Sequence, residues 1–227
     1  MNKNHLVESK SKSWTVILSE FLDQEINTFI KEYGHCNLFL TGGRSAKLFY
    51  ENWFKSIQNK NIIFYFGDER CLDNKNPDTN SSLVESAFRK ANITDYRLNS
   101  IHTDSGQFED SARKYSNNLP GRFDIILLSL GDDSHVASLF PNSKALQSTE
   151  CGYIYTQGPP PFKDRISITA PLINQFQCKV VLVIGKMKGI AFRNTYKLSS
   201  TFADYPLLLL NDLIFIFDQE AYEYIHS

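Results

Sequence analysis

The sequence lacks the features that mark secreted, membrane-spanning or strongly charged proteins. Its 227 residues carry 24 Lys and Arg against 25 Asp and Glu, and the formal net charge is −1, so no excess of one sign points to nucleic acid or a membrane surface. The N-terminus is polar, without the apolar core of a signal peptide, and no apolar run approaches a membrane span. We therefore expect a cytoplasmic protein with no nucleic-acid and no membrane partner.

Cysteine is scarce, and its four copies are scattered. Cys36, Cys71, Cys151 and Cys178 form no CxxC pair, which argues against a zinc ribbon and against the disulfide framework of a small secreted domain. The five histidines form no HExxH or similar metal-binding set. We expect reduced thiols, no metal and no other cofactor.

Apolar runs alternate with amphipathic segments along the chain. Apolar runs predict strands at 37–40, 62–66, 125–130, 180–184 and 213–217, and shorter patterns predict strands at 153–155 and 165–169. Helical spacing predicts helices at 17–33, 45–57 (with Ser45 as N-cap), 83–88, 108–118 and 187–196. This alternation is typical of a three-layer α/β/α fold with a largely parallel sheet. Because no repeat, low-complexity segment or linker interrupts it, we expect residues 1–227 to form one domain.

Four glycine-bearing turns directly follow predicted strands. They contain Gly42-Gly43, Gly67, Gly131 and Gly185. In open parallel sheets, ligands bind outside the carboxyl ends of the strands. Polar residues of these turns should therefore meet at one edge of the sheet, although they are far apart in the chain.

The first turn, TGGRSAK, has the composition of an anion site. Gly42 and Gly43 let backbone N–H groups approach an anion, and the helix that follows Ser45 adds its dipole. Arg44 and Lys47 add positive charge. The stretch matches neither a Walker A motif nor GxGxxG, so a nucleotide is not implied. From these residues alone, a plain glycine turn with exposed cations remains the alternative.

Four other charged residues have both a structural and a functional interpretation. Asp68 and Arg70 follow a strand in GDER, where they either form ion pairs that fix the loop or contact substrate. Taken alone, Arg165 is most simply interpreted as a surface arginine. Lys188 lies at a helix start, where the dipole disfavours a cation unless an anion is near.

His135, in the stretch GDDSHVASLFP, is the candidate general base. A lone histidine is more often structural, but this one follows a buried strand at the predicted site edge, and Asp133 can orient it. Ser134 is a poor nucleophile candidate because GDDSH is not the GxSxG elbow, and Ser138 has no second motif. The residues favour an activated water over a covalent serine mechanism.

Several segments together resemble the 6-phosphogluconolactonases, which share their fold with the glucosamine-6-phosphate deaminases. The matching segments are LFLTGGRSAKLFY, FYFGDERCLDNKNPDTNSSLV, FDIILLSLGDDSHVASLFP, DRISITAPLIN and VVLVIGKMK. The resemblance implies a modified Rossmann-like fold of the glucosamine-6-phosphate deaminase and ribose-5-phosphate isomerase type. It also implies hydrolysis of 6-phospho-D-glucono-1,5-lactone in the oxidative pentose phosphate pathway, by a monomer or homodimer whose ligand is a small sugar phosphate.

The resemblance also assigns roles by position. It implies that His135 activates water, with Asp133 as its partner and Asp68 as a further site carboxylate. The phosphate cradle that it implies consists of Gly42, Gly43, Arg44, Ser45 and Arg165, with Arg70 and Lys188 as further anion contacts. Lys47 completes our set of candidate phosphate-binding residues.

Departures from the family pattern keep two alternatives open. Ser134 stands where the family usually has glycine; if that position needs a positive φ, the serine costs roughly 1 kcal/mol and could shift His135. A sugar-phosphate sensor without catalysis is therefore one alternative. A deaminase or isomerase is the other, although residues 136–141 lack the glutamate that the deaminases place after the motif histidine.

Overall fold

Ten strands of the described residues form two separate sheets. The computed structural model describes residues 5–57, 60–103, 106–196 and 201–225. The strands are β1 His5–Val7, β2 Cys36–Leu40, β3 Ile62–Phe66, β4 Asp68–Arg70, β5 Arg97–Leu98, β6 Ile125–Ser129, β7 Tyr153–Gln157, β8 Asp164–Ile168, β9 Cys178–Val183 and β10 Leu213–Phe217. The large sheet has the order β1-β10-β9-β6-β2-β3-β5, and all its neighbouring strands are parallel.

Helices flank the large sheet. They are α1 Trp14–Tyr33, α2 Arg44–Trp53, α3 Asn80–Lys90, α4 Phe108–Asn117, α5 Ala170–Ile173, α6 Lys186–Thr195 and α7 Gln219–Ile225. Local signals set the ends of α1: the Ser13 side chain accepts a hydrogen bond from the Val16 N–H, and the helix ends at Gly34 with φ 79°. The predicted α/β fold with a largely parallel central sheet is confirmed.

The central strands are buried on both faces. Every residue of β2 and β9 is buried, and Leu38, Leu127 and Val181 have no exposed surface. Their mostly apolar sequences are typical of a parallel sheet that helices cover on both faces. This rigid layer fixes the positions of the turns at its edge.

The small sheet holds the GDER motif; its strands β7 and β8 were predicted, but β4 and the pairing of the three strands were not. It has the order β4-β8-β7 and is antiparallel, with Arg70 opposite Arg165 and Asp68 opposite Ser167. The sequence analysis treated residues 67–70 as a loop, because a three-residue charged strand carries no apolar pattern. Its pairing with β8 is a tertiary interaction that local sequence does not encode.

Other boundaries also differ from the expectations. The helix predicted to start at Ser45 begins at Arg44, with Gly43 as N-cap. Strand β10 is not the last element, because α7 follows it. Of the described helices, none combines the length and the apolarity needed to cross a membrane. That residues 1–227 form one domain stays a prediction.

The four glycine turns lie at one edge of the large sheet, as expected. Gly42 follows β2, Gly67 follows β3, Gly131 comes two residues after β6, and Gly185 comes two residues after β9. Since these strands are parallel neighbours, their carboxyl ends share that edge.

Candidate active site

A cleft of about 520 Å³ opens at this edge of the large sheet. Its volume is within the range of small-molecule sites. The predicted site residues that line it are Gly42, Gly43, Arg44, Ser45, Asp68, Arg70, His135, Arg165 and Lys188. Turns of the large sheet and strands of the small sheet therefore contribute to a single cavity.

Asp133 fixes the imidazole of His135. The distance between His135 Nδ1 and Asp133 Oδ1 is 2.5 Å, and the same carboxylate oxygen accepts the backbone N–H of His135 at 3.3 Å. Burial tends to raise the pKa of Asp133, but the hydrogen bond and the charge of His135 outweigh it and lower this pKa. An ionised Asp133 can only accept, so in the neutral imidazole Nδ1 is assigned the proton and Nε2 has the lone pair.

Gly131 and Ser134 shape the loop that carries this pair. A Cβ at Gly131 would lie 2.1 Å from His135 Nδ1 and 2.6 Å from Asp133 Oδ1, so only glycine allows the pair to pack there. Ser134 adopts φ 72°, the left-handed region that favours glycine. The condition on which the sequence analysis based its strain argument for Ser134 is thus met.

Two helix N-termini of the same construction face the cleft. Gly43 caps α2 and Gly185 caps α6, each with φ 92°, and neither helix has a side-chain hydrogen bond at its cap. Both glycines line the cleft. A Cβ at Gly42 would lie 1.9 Å from Asn80 Oδ1, so the carboxamide of Asn80 packs directly on the first turn.

The small sheet contributes two guanidinium groups. Arg70 and Arg165 are directly opposite each other on β4 and β8, an arrangement that is destabilising for like charges without an anion. Arg165 Nε donates to the Phe162 carbonyl at 2.7 Å, and the Arg70 guanidinium lies 4.8 Å from the centre of the Phe162 ring. Burial lowers the pKa of Arg165; Asp68 opposes this shift and Arg70 adds to it. These contacts suit a site for an anion.

Asp68 is buried, and neutral groups hold its carboxylate. Ser138 Oγ donates to Asp68 Oδ2 at 2.6 Å, and Asn80 Nδ2 lies 3.4 Å from Asp68 Oδ1. The Ser138 backbone N–H donates to Ser167 Oγ at 3.1 Å. This network joins the loop of His135 to β4 and β8, two of the three strands of the small sheet.

Glu69 points away from the cleft and is structural. Its carboxylate accepts backbone N–H groups of Arg70, Asn80 and Ser81 at 2.8, 2.7 and 2.8 Å, so it anchors the start of α3. Burial raises the pKa of Glu69 to about 7, although the three N–H donors oppose the shift. Glu69 is thus held by bonds to the backbone.

Lys188 enters the cleft from α6. Its Nζ donates to Ser129 Oγ at 2.7 Å. Burial lowers the pKa of Lys188; Asp132 counters this shift and Arg44 reinforces it. The side chain is thus close enough to the first glycine turn for the two cations to repel each other.

Two predicted residues do not line the cleft. Asp133 contacts His135 but is not part of the cleft lining, and Lys47 lines a neighbouring hollow instead. Several residues of the cleft were not predicted from the sequence: Asn80, Ser129, Asp132, Lys186 and Glu220. Asn80 had a signal, since it lies in the segment FYFGDERCLDNKNPDTNSSLV that carries the family resemblance, but Glu220 comes from a helix that was not predicted.

Metal-ligating side chains do not cluster in the part of the chain that the structure describes. No group of three or more His, Cys, Asp and Glu residues there has the arrangement to hold an ion. The expectation of a reaction without a metal or cofactor stays a prediction.

Solved structures share this fold. A 6-phosphogluconolactonase from Shewanella baltica has a TM-score of 0.81 at 17% identity, covering 94% of this chain and 97% of that one. A 6-phosphogluconolactonase from Leishmania guyanensis has a TM-score of 0.79 at 23% identity, with 98% of each chain covered. At these identities the likeness supports the fold alone.

Sequence comparison identifies the family. A 6-phosphogluconolactonase from Synechocystis is 31% identical over 213 residues, which cover 87% of this chain and 88% of that protein. One from Nostoc is 28% identical over 225 residues, covering 91% and 93%. The family model described as glucosamine-6-phosphate isomerases/6-phosphogluconolactonase matches residues 10–213. The resemblance stated from the sequence is therefore confirmed, and the chain belongs to the glucosamine-6-phosphate isomerase/6-phosphogluconolactonase family.

Proposed function

We propose that this protein hydrolyses 6-phospho-D-glucono-1,5-lactone to 6-phospho-D-gluconate, a step of the oxidative pentose phosphate pathway. The observation that carries the proposal is the Asp133–His135 pair in the same cleft as Arg70, Arg165 and the first glycine turn. A lactone is an activated ester, so a positioned water and one general base suffice for its hydrolysis.

The phosphate end of the substrate fits the cations of the cleft. We assign the phosphoryl group to the Gly42–Ser45 turn, Arg165 and Lys188, with Arg70 as a further contact. Guanidinium groups form paired, charge-assisted hydrogen bonds with phosphate, and the N-terminus of α2 adds its dipole. Holding this end fixed orients the ring carbonyl at the other end of the molecule.

The reacting end fits His135. Nε2 takes a proton from water while the water oxygen bonds to the lactone carbonyl carbon, and Asp133 stabilises the imidazolium through Nδ1–H. Collapse of the tetrahedral intermediate breaks the bond to the ring oxygen, which takes the proton back from Nε2. Arg70 or N–H groups of the turns are donors for the transient oxyanion. Asp68, held by Ser138, is an acceptor for a substrate hydroxyl.

The test is an assay of freshly generated lactone with spontaneous hydrolysis subtracted. We expect catalysed proton release that persists in the presence of EDTA. Release no faster than the background rate, from folded protein that still binds 6-phosphogluconate, would contradict the proposal. That outcome would support the sugar-phosphate sensor, for which the positive φ of Ser134 is the motivating observation.

A deaminase or isomerase is the second candidate, because the matching family model includes isomerases. Residues 136–141 contain no carboxylate, and both Val136 and Leu139 of this loop are buried. An acid that assists ring opening is therefore lacking in this segment. Ammonia release from glucosamine 6-phosphate would reverse our preference. A cytoplasmic location and a monomeric or homodimeric state stay predictions.

A further inference from the structure

A second hollow adjoins the cleft, between α2 and α3. It has a volume of about 490 Å³. The cationic residues that line it are Arg44, Lys47, Arg70, Lys75, Arg89 and Lys90, against the two carboxylates of Glu51 and Asp78. This concentration of positive charge is local, because the net charge of the whole chain is −1.

Few of these cations are neutralised by the protein. Lys90 pairs with Glu51 at 2.6 Å, and Arg89 is 3.9 Å from Glu85 in an exposed pair. Within the described ranges, Lys47 and Lys75 make no salt bridge. Like charges gathered around a concave surface repel each other and raise the local concentration of anions.

Arg70 connects the hollow with the cleft. Its Nη1 donates to the Asp78 carbonyl at 2.6 Å, but its Nε is buried with no hydrogen-bond partner among the described residues. Arg44 also lines both cavities, so an anion bound in one cavity changes the electrostatic potential in the other.

The size and lining of the hollow indicate the class of ligand. A volume of about 490 Å³ exceeds what a single phosphate needs, and Leu83 and Ala87 add apolar wall to the cationic one. We propose that the hollow binds a small molecule with at least two phosphoryl groups, at the same time as a sugar phosphate occupies the cleft. Because Arg44 and Arg70 face both ligands, each ligand weakens the other, and by linkage the two effects are equal.

Calorimetric titration of inorganic pyrophosphate into the full chain tests this, with the cleft saturated by 6-phosphogluconate. We expect one pyrophosphate bound per chain. The double variant Lys75→Ala/Arg89→Ala should weaken that binding by about tenfold while 6-phosphogluconate affinity stays unchanged. The matched control is Lys10→Ala/Lys31→Ala, which removes the same charge at two exposed positions that line neither cavity, and it should bind pyrophosphate like the wild type.

Two outcomes would overturn the proposal. One is the absence of pyrophosphate binding once 6-phosphogluconate saturates the protein, which would mean that pyrophosphate binds only in the cleft. The other is an equal loss of affinity in both double variants, which would mean a general charge effect. If the protein does not bind 6-phosphogluconate, the proposed function fails, but the same variants titrated without it still decide the question of the hollow.

Discussion

The two sheets of this protein divide stability and chemistry between them. The central strands of the large sheet are mostly apolar and buried, as in β9, in which every residue is buried. In the small sheet, Asp68 and Arg70 of β4 line the cleft, while Glu69 between them turns away to anchor α3. The alternation of a three-residue strand thus separates ligand-facing groups from a structural one.

Substitutions in the two sheets should therefore have different effects. Substitutions inside the large sheet remove apolar contacts that hold the scaffold, whereas substitutions on the cleft face of the small sheet remove contacts to ligand. The turns after β2, β6 and β9 join the two roles, because a rigid sheet fixes their position while their glycines and polar groups form the site. The predictions that follow test this division.

The largest expected effect is on stability, from Leu127→Ala in the large sheet. Leu127 has no exposed surface, so we expect the free energy of unfolding to fall by about 2–5 kcal/mol in urea denaturation. The matched control is Leu48→Ala, because Leu48 is 51% exposed, and it should cost less than about 0.5 kcal/mol. Equal losses in the two variants would contradict a scaffold role for β6.

Next in size is the loss of ligand affinity on changing Arg165→Ala in the small sheet. We expect 6-phosphogluconate to bind about 100-fold more weakly, roughly 2.7 kcal/mol, because a guanidinium–phosphate contact is lost. Arg165→Lys should recover only part of this affinity, since it lacks the planar fork. Arg113→Ala, whose side chain is 72% exposed on α4, should bind normally. Unchanged affinity in Arg165→Ala would remove this residue from the phosphate site.

Ser138→Ala should have a smaller effect, on both stability and catalysis. The change deprives the buried carboxylate of Asp68 of a donor at 2.6 Å and should cost about 1–3 kcal/mol of stability, with a lower kcat/KM. The double variant with Asp68→Asn measures the coupling energy by denaturation and kinetics. Strictly additive effects would show that the network between the two sheets carries no energy.

The smallest predicted effect is a gain in stability from Ser134→Gly. Relief of the left-handed backbone at φ 72° should stabilise the protein by about 1 kcal/mol in thermal or urea unfolding. Ala137→Gly is the matched control, because Ala137 has φ 53° but lies outside the Asp133–His135 segment. A change of kcat in Ser134→Gly alone would mean that the serine displaces the imidazole; equal kcat in both variants would mean that it does not.

The sequence predicted the strands of five or more residues in both sheets, and it missed β1, β4 and β5, which have three residues or fewer. Strands β3 and β10 have the predicted bounds because a continuous apolar run between polar turns is a local signal. Strand β4 was missed because it exists only through pairing with β8, and α7 because its short sequence packs on elements far away in the chain. Local patterns reveal buried strands but not pairings between distant segments.

For the site, sequence reasoning found the turns but not the geometry. Gly42, Gly131 and Gly185 were predicted at one edge because parallel strands require it. The opposition of Arg70 and Arg165 depends on the register of the small sheet, and Lys47 proved to face the second hollow. Lys47 is only four residues from Gly43, but closeness in sequence did not determine which face of α2 its side chain occupies.

The most direct test of the central claim is to measure lactone hydrolysis and 6-phosphogluconate binding side by side in His135→Ala. We assign proton transfer to the imidazole of His135 and phosphate binding to the cations of the cleft. We therefore predict that hydrolysis falls by about 10²–10⁴-fold, toward the spontaneous rate, while the Kd stays within about threefold of the wild type. Hydrolysis at the wild-type rate in the folded variant would contradict this assignment.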